Sequence, residues 1–117
     1  MKIGDNTKMT NNDKVPELSG KEFDNFISKG YVFIDFFAEW CMPCLMMSPV
    51  IDELSAKFNG KIKFGKVNVD DNQQLAGKYK VQSIPNMILF KDGKQINQFI
   101  GGISSDELED KLKKSTK

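Results

Sequence analysis

Residues Tyr31 to Ala38 read YVFIDFFA, eight positions that are apolar or aromatic save for one aspartate. A half-exposed strand alternates apolar and polar residues, whereas a short unbroken run marks a strand covered on both faces. Covering both faces takes a packing layer above and below the sheet. This stretch therefore points to an α/β fold before any other element is read, and the remaining elements have to supply the layers.

They do so by alternating in type. Ser19 and Glu22 have the S-x-x-E spacing of a capping box, which satisfies free N–H groups at a helix start. The helix it opens carries Phe23, Phe26 and Ile27 on one face, and Gly30 stands where a helix stop is needed. Cys41 to Phe58 reads as a second helix, with Ile51, Leu54 and Phe58 at helical spacing and Pro49 expected to kink it. Lys61 to Val69 is another strand, and Asp70 to Lys80 a short polar helix held by Leu75, Ala76 and Tyr79. Asn86 to Phe90 and Gln95 to Ile100 flank Asp92-Gly93, a two-residue hairpin signal. Ser104 and Glu107 repeat the capping-box spacing ahead of a last helix with Leu108 and Leu112 inward. Lys14 to Glu17, which contains a proline, suits a short edge strand. The predicted order is β-α-β-α-β-α-β-β-α. The β-α-β units call for parallel strands with helices on both faces, and the closing hairpin adds an antiparallel edge, giving a central mixed β-sheet.

A chain of 117 residues makes one domain. Residues 1–13 are polar and offer too little apolar surface to offset the entropy of ordering, which predicts a flexible extension followed by a domain over 14–117. The N-terminus lacks the apolar core of ~7–15 residues that a secretory signal requires. No window approaches the ~18 apolar residues of a membrane span. A soluble, cytoplasmic protein without a membrane partner is expected. Lysine and arginine number 17 against 16 acidic residues, so a strongly basic face for nucleic acid is not expected. The one cationic cluster, the terminal KLKKSTK, suits the negative pole of a helix.

Both cysteines and the only tryptophan fall in EWCMPC, as Trp40, Cys41 and Cys44. A structural zinc site needs four ligands, usually Cys or His; two cysteines and no histidine supply half of one. An iron–sulfur cluster fails on the same arithmetic. As a staple the pair is poorly placed, because a disulfide restricts the unfolded chain more when it closes a longer loop. In a reducing compartment a close pair points instead to chemistry. Cys41 lies at a helix N-terminus, where free N–H groups and the dipole favour a thiolate, the nucleophilic form. Cys44 lies on the same face three residues on, within reach of a mixed disulfide at Cys41. Pro43 in the first turn has no N–H to leave unpaired and presets a helical φ. Asp35 interrupts the apolar strand, and a carboxylate there is costly without a partner or a task.

At this point the sequence resembles the thioredoxin family, over about Val15 to Lys113. IDFFAEWCMPC resembles the family's strand and motif, and Pro49, KVNVD (Lys66 to Asp70), SIP (Ser83 to Pro85) and KDGK…GG follow in order and spacing. The resemblance implies the thioredoxin fold and reduction of disulfides in partner proteins, with a thioredoxin reductase as electron donor. It implies Cys41 as nucleophile, Cys44 as buried resolving thiol, Asp35 as a buried acid behind them and Lys66 near that acid. Pro85 would be a cis proline facing the disulfide. Trp40, Ile84 and Gly101, with Met42 and Pro43, would form the shallow substrate groove. No bound cofactor is needed, since both electrons reside on sulfur, and a monomer is expected.

The chain also departs from the family pattern. Met42 stands where glycine is usual, Leu45 where lysine is usual and Phe37 where a second tryptophan is common. Met42 adds a soft apolar group between the thiols; Met42, Met46 and Met47 read either as a sticky substrate patch or, the preferred assignment for Met46 and Met47, as core packing. Two rival readings accompany disulfide reduction. One is an oxidase or isomerase with a less reducing couple; the other is a redox-silent module that uses the groove only for binding.

Overall fold

The structure is a computed structural model that describes residues 15–117. The predicted extension over 1–13, and the first residue of the predicted edge strand, lie outside the described residues.

The elements run α1 (Gly20–Ile27), β1 (Tyr31–Phe37), α2 (Met42–Lys57), β2 (Ile62–Asn68), α3 (Gln73–Lys78), β3 (Asn86–Lys91), β4 (Lys94–Ile100) and α4 (Ser105–Ser115). The sheet order is β2-β1-β3-β4. β1 pairs parallel with β2 and antiparallel with β3, and β3 pairs antiparallel with β4. The apolar run is thus an interior strand, and alternation along it divides the core. Phe33 points into one cluster with Met47, Ile51 and Leu54 of α2 and Leu108 and Leu112 of α4. Val32, Ile34 and Phe36 point into the other, with Phe23 and Ile27 of α1 and Leu75 and Tyr79 beside them. Helices α2 and α4 cover one face and α1 and α3 the other. Each such side chain contributes ~1.5–3 kcal/mol when fully buried, which is why an uninterrupted apolar strand settles between the layers.

Local chemistry sets the element ends. The Ser19 N–H donates to Glu22 Oε1 at 2.8 Å, opening α1, and the Glu107 N–H donates to Ser104 Oγ at 3.2 Å, opening α4. Asp92 and Gly93 adopt φ of 52° and 86°, the pair of positive angles that a two-residue hairpin turn requires.

Three expectations change. The edge strand at Lys14–Glu17 shrinks to one parallel bridge, Glu17 to Lys66. The Lys66 N–H donates to the Pro16 carbonyl at 2.9 Å and the Leu18 N–H to the Lys66 carbonyl at 2.8 Å; Pro16 has no N–H to extend the ladder. Among the described residues the sheet therefore has four strands and the element order opens on a helix. Second, α3 starts at Gln73 rather than Asp70, because the Asn68 side chain captures the Asp70 N–H at 2.9 Å and holds a turn there. Third, Met47 is buried as expected, but Met46 is 73% exposed. Leu45 and Met46 lie on the side of α2 turned away from the buried Cys44 and Met47, and so project outward.

Candidate active site

β1 ends at Phe37 and α2 begins at Met42, so the chain turns from sheet to helix within four residues. The Cys41 N–H donates to the Ala38 carbonyl at 3.2 Å, which tightens the turn. Cys41 is the N-cap of α2, and the Cys44 N–H donates to Cys41 Sγ at 3.2 Å. The cap position thus points a backbone donor at this sulfur, in addition to the positive pole of the helix. Pro43 occupies the first turn without removing any hydrogen bond. The two cysteines form a disulfide with Cα atoms 5.2 Å apart. Both are buried, at 4% and 3% exposure, and pack with Ala38, Phe37, Val69 and Ile84.

The loop that precedes β3 reaches the disulfide, and the loop that follows β4 is tied to it. Ile84 places its carbonyl oxygen 3.9 Å from Cys41 Sγ, and the Ile84–Pro85 peptide bond is cis, as the resemblance implies. Gly101, at φ 89°, donates its N–H to the Pro85 carbonyl at 2.8 Å. That angle lies in the left-handed region that favours glycine, and the hydrogen bond ties the β4–α4 loop to the proline loop. Trp40 and Met42, the chain neighbours of Cys41, are 71% and 66% exposed. The structure therefore sets Ile84 against the disulfide and ties Gly101 to Pro85 beside it, while Trp40, Met42 and Pro43 flank the cysteines along the chain.

Asp35 lies below. It shares a face of β1 with Phe33 and Phe37, which pack against α2 and the cysteine cluster, so its carboxyl faces α2 from within the sheet. It is 5% exposed, and Oδ1 has no hydrogen-bond partner. Burial pushes its pKa up to about 7, against a smaller opposing pull from the Lys66 charge. Lys66 is its register neighbour on β2 and is half-buried, with Nζ 5.5 Å from the Phe37 ring centroid.

Two further residues belong to the site and were not singled out in the sequence. Asp70 Oδ2 accepts the Trp40 indole N–H at 2.9 Å and so anchors an otherwise exposed ring. The Asn68 turn positions Asp70, and the asparagine with paired aspartates in NVDDN is the sequence signal for such a turn. Asp52, half-buried on α2, has its pKa raised by burial and lowered in part by the same Lys66 charge. Lys66 thus serves two carboxyls on the α2 side of the sheet. An acid on a helix carries no mark of this in the sequence.

Comparison with known proteins points to a single family. The thioredoxin family model matches residues 14–114. A thioredoxin of Chlamydia caviae is 47% identical over 94 residues, covering 80% of this chain and 91% of its own. One of Staphylococcus aureus is 38% identical over 100 residues, covering 86% and 96%. Among solved structures, a mutant thioredoxin from Halobacterium salinarum superposes with a TM-score of 0.80 at 34% identity, over 89% of this chain and 93% of that one.

Proposed function

The chain belongs to the thioredoxin family and is a thiol–disulfide oxidoreductase that reduces disulfides in partner proteins, and from that premise we propose how its residues divide the reaction. Cys41 is the nucleophile. Its thiolate attacks one sulfur of the target disulfide; a mixed disulfide forms, and the other target sulfur leaves as a thiolate and takes a proton. Cys44 then gives its proton, through a water, to Asp35 and attacks Cys41 Sγ; the Cys41–Cys44 disulfide forms as the bond from Cys41 to the target breaks, and the second target sulfur leaves as a thiolate that takes up a proton. Two electrons pass to the target, and a thioredoxin reductase returns two electrons and two protons.

The observation that carries this division is the cap geometry: the helix start aims the Cys44 N–H at Cys41 Sγ, 3.2 Å away. The same donor favours a thiolate at Cys41 once the bond is reduced. Support for Asp35 as acceptor comes from its position facing α2 and from a pKa of about 7, in the range that suits a base at neutral pH. Lys66 limits how far that pKa rises. Trp40, Met42, Pro43, Ile84, Pro85 and Gly101 form the walls between which a target segment lies.

The match over residues 14–114 supports a domain over 14–117 preceded by a separate extension. Among the described residues no helix is long and apolar enough to cross a membrane. A cytoplasmic monomer is the setting in which this dithiol stays reduced and open to partners. Insulin turbidity in the presence of dithiothreitol tests the function: the protein should accelerate reduction strongly, and no acceleration over dithiothreitol alone would contradict it.

A further inference from the structure

Helix α2 has no charged outer face over its first two turns. Cys44, Met47 and Ile51 point inward and are buried. The outward residues are apolar too: Met42 is 66% exposed, Leu45 53% and Met46 73%, with Pro49 exposed beside them. Positions 42, 45, 46 and 49 follow the i, i+3, i+4, i+7 spacing of a single face. From Trp40 to Ile51 twelve consecutive residues carry no charge. A surface helix ordinarily turns charged residues outward. α4 does so, with Lys113 paired to Glu109 and Lys114 to Asp110. A lone exposed apolar residue needs no explanation, whereas a contiguous stripe marks a place where something docks.

The stripe starts at Met42, between the two cysteines, and runs roughly 10 Å along the helix at ~1.5 Å per residue. It continues the surface that any partner must cover to bring its own disulfide to Cys41. We propose that the outer face of α2, through Leu45 and Met46, is a docking surface that selects partner proteins with an apolar segment beside their reactive disulfide. The proposal rests on the disulfide-exchange reading above and names the partner class for it. A stretch without charge cannot select by ionic complementarity. Methionine side chains adapt to differently shaped apolar partners. Four side chains of one helix fall well short of the ~1,200–2,000 Å² that a stable interface buries. The surface therefore suits a transient partner held by a mixed disulfide, not a permanent second copy.

The test uses two synthetic peptides, each with one cysteine activated as a mixed disulfide with thionitrobenzoate. One carries leucine and phenylalanine beside the cysteine, the other serine and glutamine. Rate constants are measured for the reduced wild-type chain, for Leu45→Gln/Met46→Gln and for the apolar exchange Leu45→Met/Met46→Leu. Each is divided by that variant's rate with hydroxyethyl disulfide, so that altered thiolate reactivity cancels. Glutamine, leucine and methionine are all good helix formers. The wild type should prefer the apolar peptide by roughly tenfold, the factor that ~1.4 kcal/mol confers. Added salt should leave the preference unchanged, the glutamine variant should lose it and the apolar exchange should keep it. No preference in the wild type, or one that survives in the glutamine variant, overturns the proposal. So does a concentration-dependent dimer in sedimentation velocity that the glutamine variant abolishes, since the stripe would then belong to a second copy. Insulin reduction without peptide preference sinks the docking surface alone; a wild type that fails to reduce insulin sinks the reading beneath it as well.

Discussion

A carboxyl inside β1, with one oxygen unpartnered and a pKa raised to about 7, couples this protein's stability to pH. The unfolded chain releases that proton near 3.8, while the folded protein holds it to about 7. Between those values the native state binds the extra proton, so stability falls as pH rises through the window, and the loss persists above it. At ~1.36 kcal/mol per pH unit the full cost approaches roughly 4 kcal/mol. Asp35→Asn cannot ionise. It should be more stable than wild type above neutral pH, by up to roughly that amount, with the gain vanishing below about pH 3.8. It should also resolve mixed disulfides more slowly, because Cys44 loses its proton acceptor. Denaturant melts across pH and single-turnover resolution rates check both halves; a stability difference that ignores pH would contradict a buried, titrating Asp35. This residue was legible in the sequence because a lone charge inside YVFIDFFA has nowhere polar to go. Asp52 and Asp70 were not, because an acid on a helix or in a polar turn is ordinary in sequence and their roles arise from contacts across the fold.

Among the elements, the start of α2 does most of the chemistry, and two substitutions separate its contributions. Met42 is the first helical residue and is largely exposed, so Met42→Gly should leave the fold intact while changing the surroundings of the thiols. Since ~30 mV corresponds to ~1.4 kcal/mol for a two-electron couple, equilibration with glutathione resolves even a small shift. Identical potentials for the two proteins would mean that Met42 is redox-neutral. Asp70 acts on this element from outside, as a positioning residue for Trp40. Asp70→Ala should free the indole and slow insulin reduction severalfold, and because Trp40 is the only tryptophan, time-resolved fluorescence anisotropy reports its motion directly. Unchanged anisotropy would show that packing, not the 2.9 Å hydrogen bond, holds the ring. Capping boxes, the Asp-Gly turn and the helical spacing of α2 were all readable beforehand, since each is a local pattern with a local cause. The edge strand, the start of α3 and the exposure of Met46 were not. Pro16 shortens the ladder, Asn68 borrows an N–H from the next element, and a methionine suits core and surface equally.

Across the molecule, the interior strand orders everything else. It carries Asp35 in its middle and delivers Cys41 at its end, and the sheet order brings Pro85 and Gly101 against that end from a separate hairpin. The layered α/β class followed from hydrophobic pattern alone. The convergence of Ile84, Gly101 and the disulfide depends on tertiary packing, and in the sequence it was reachable only through resemblance. Everything proposed for the reaction hangs on one asymmetry: one sulfur attacks and the other resolves. Reduced Cys44→Ser and Cys41→Ser variants are each incubated with a disulfide-bonded protein substrate, quenched with acid and weighed by mass spectrometry without reductant. Cys44→Ser should accumulate a species of enzyme plus substrate linked through Cys41, because nothing remains to resolve it, whereas Cys41→Ser should accumulate none and show no turnover. Trapping in Cys41→Ser but not in Cys44→Ser would reverse the two roles and overturn the mechanism.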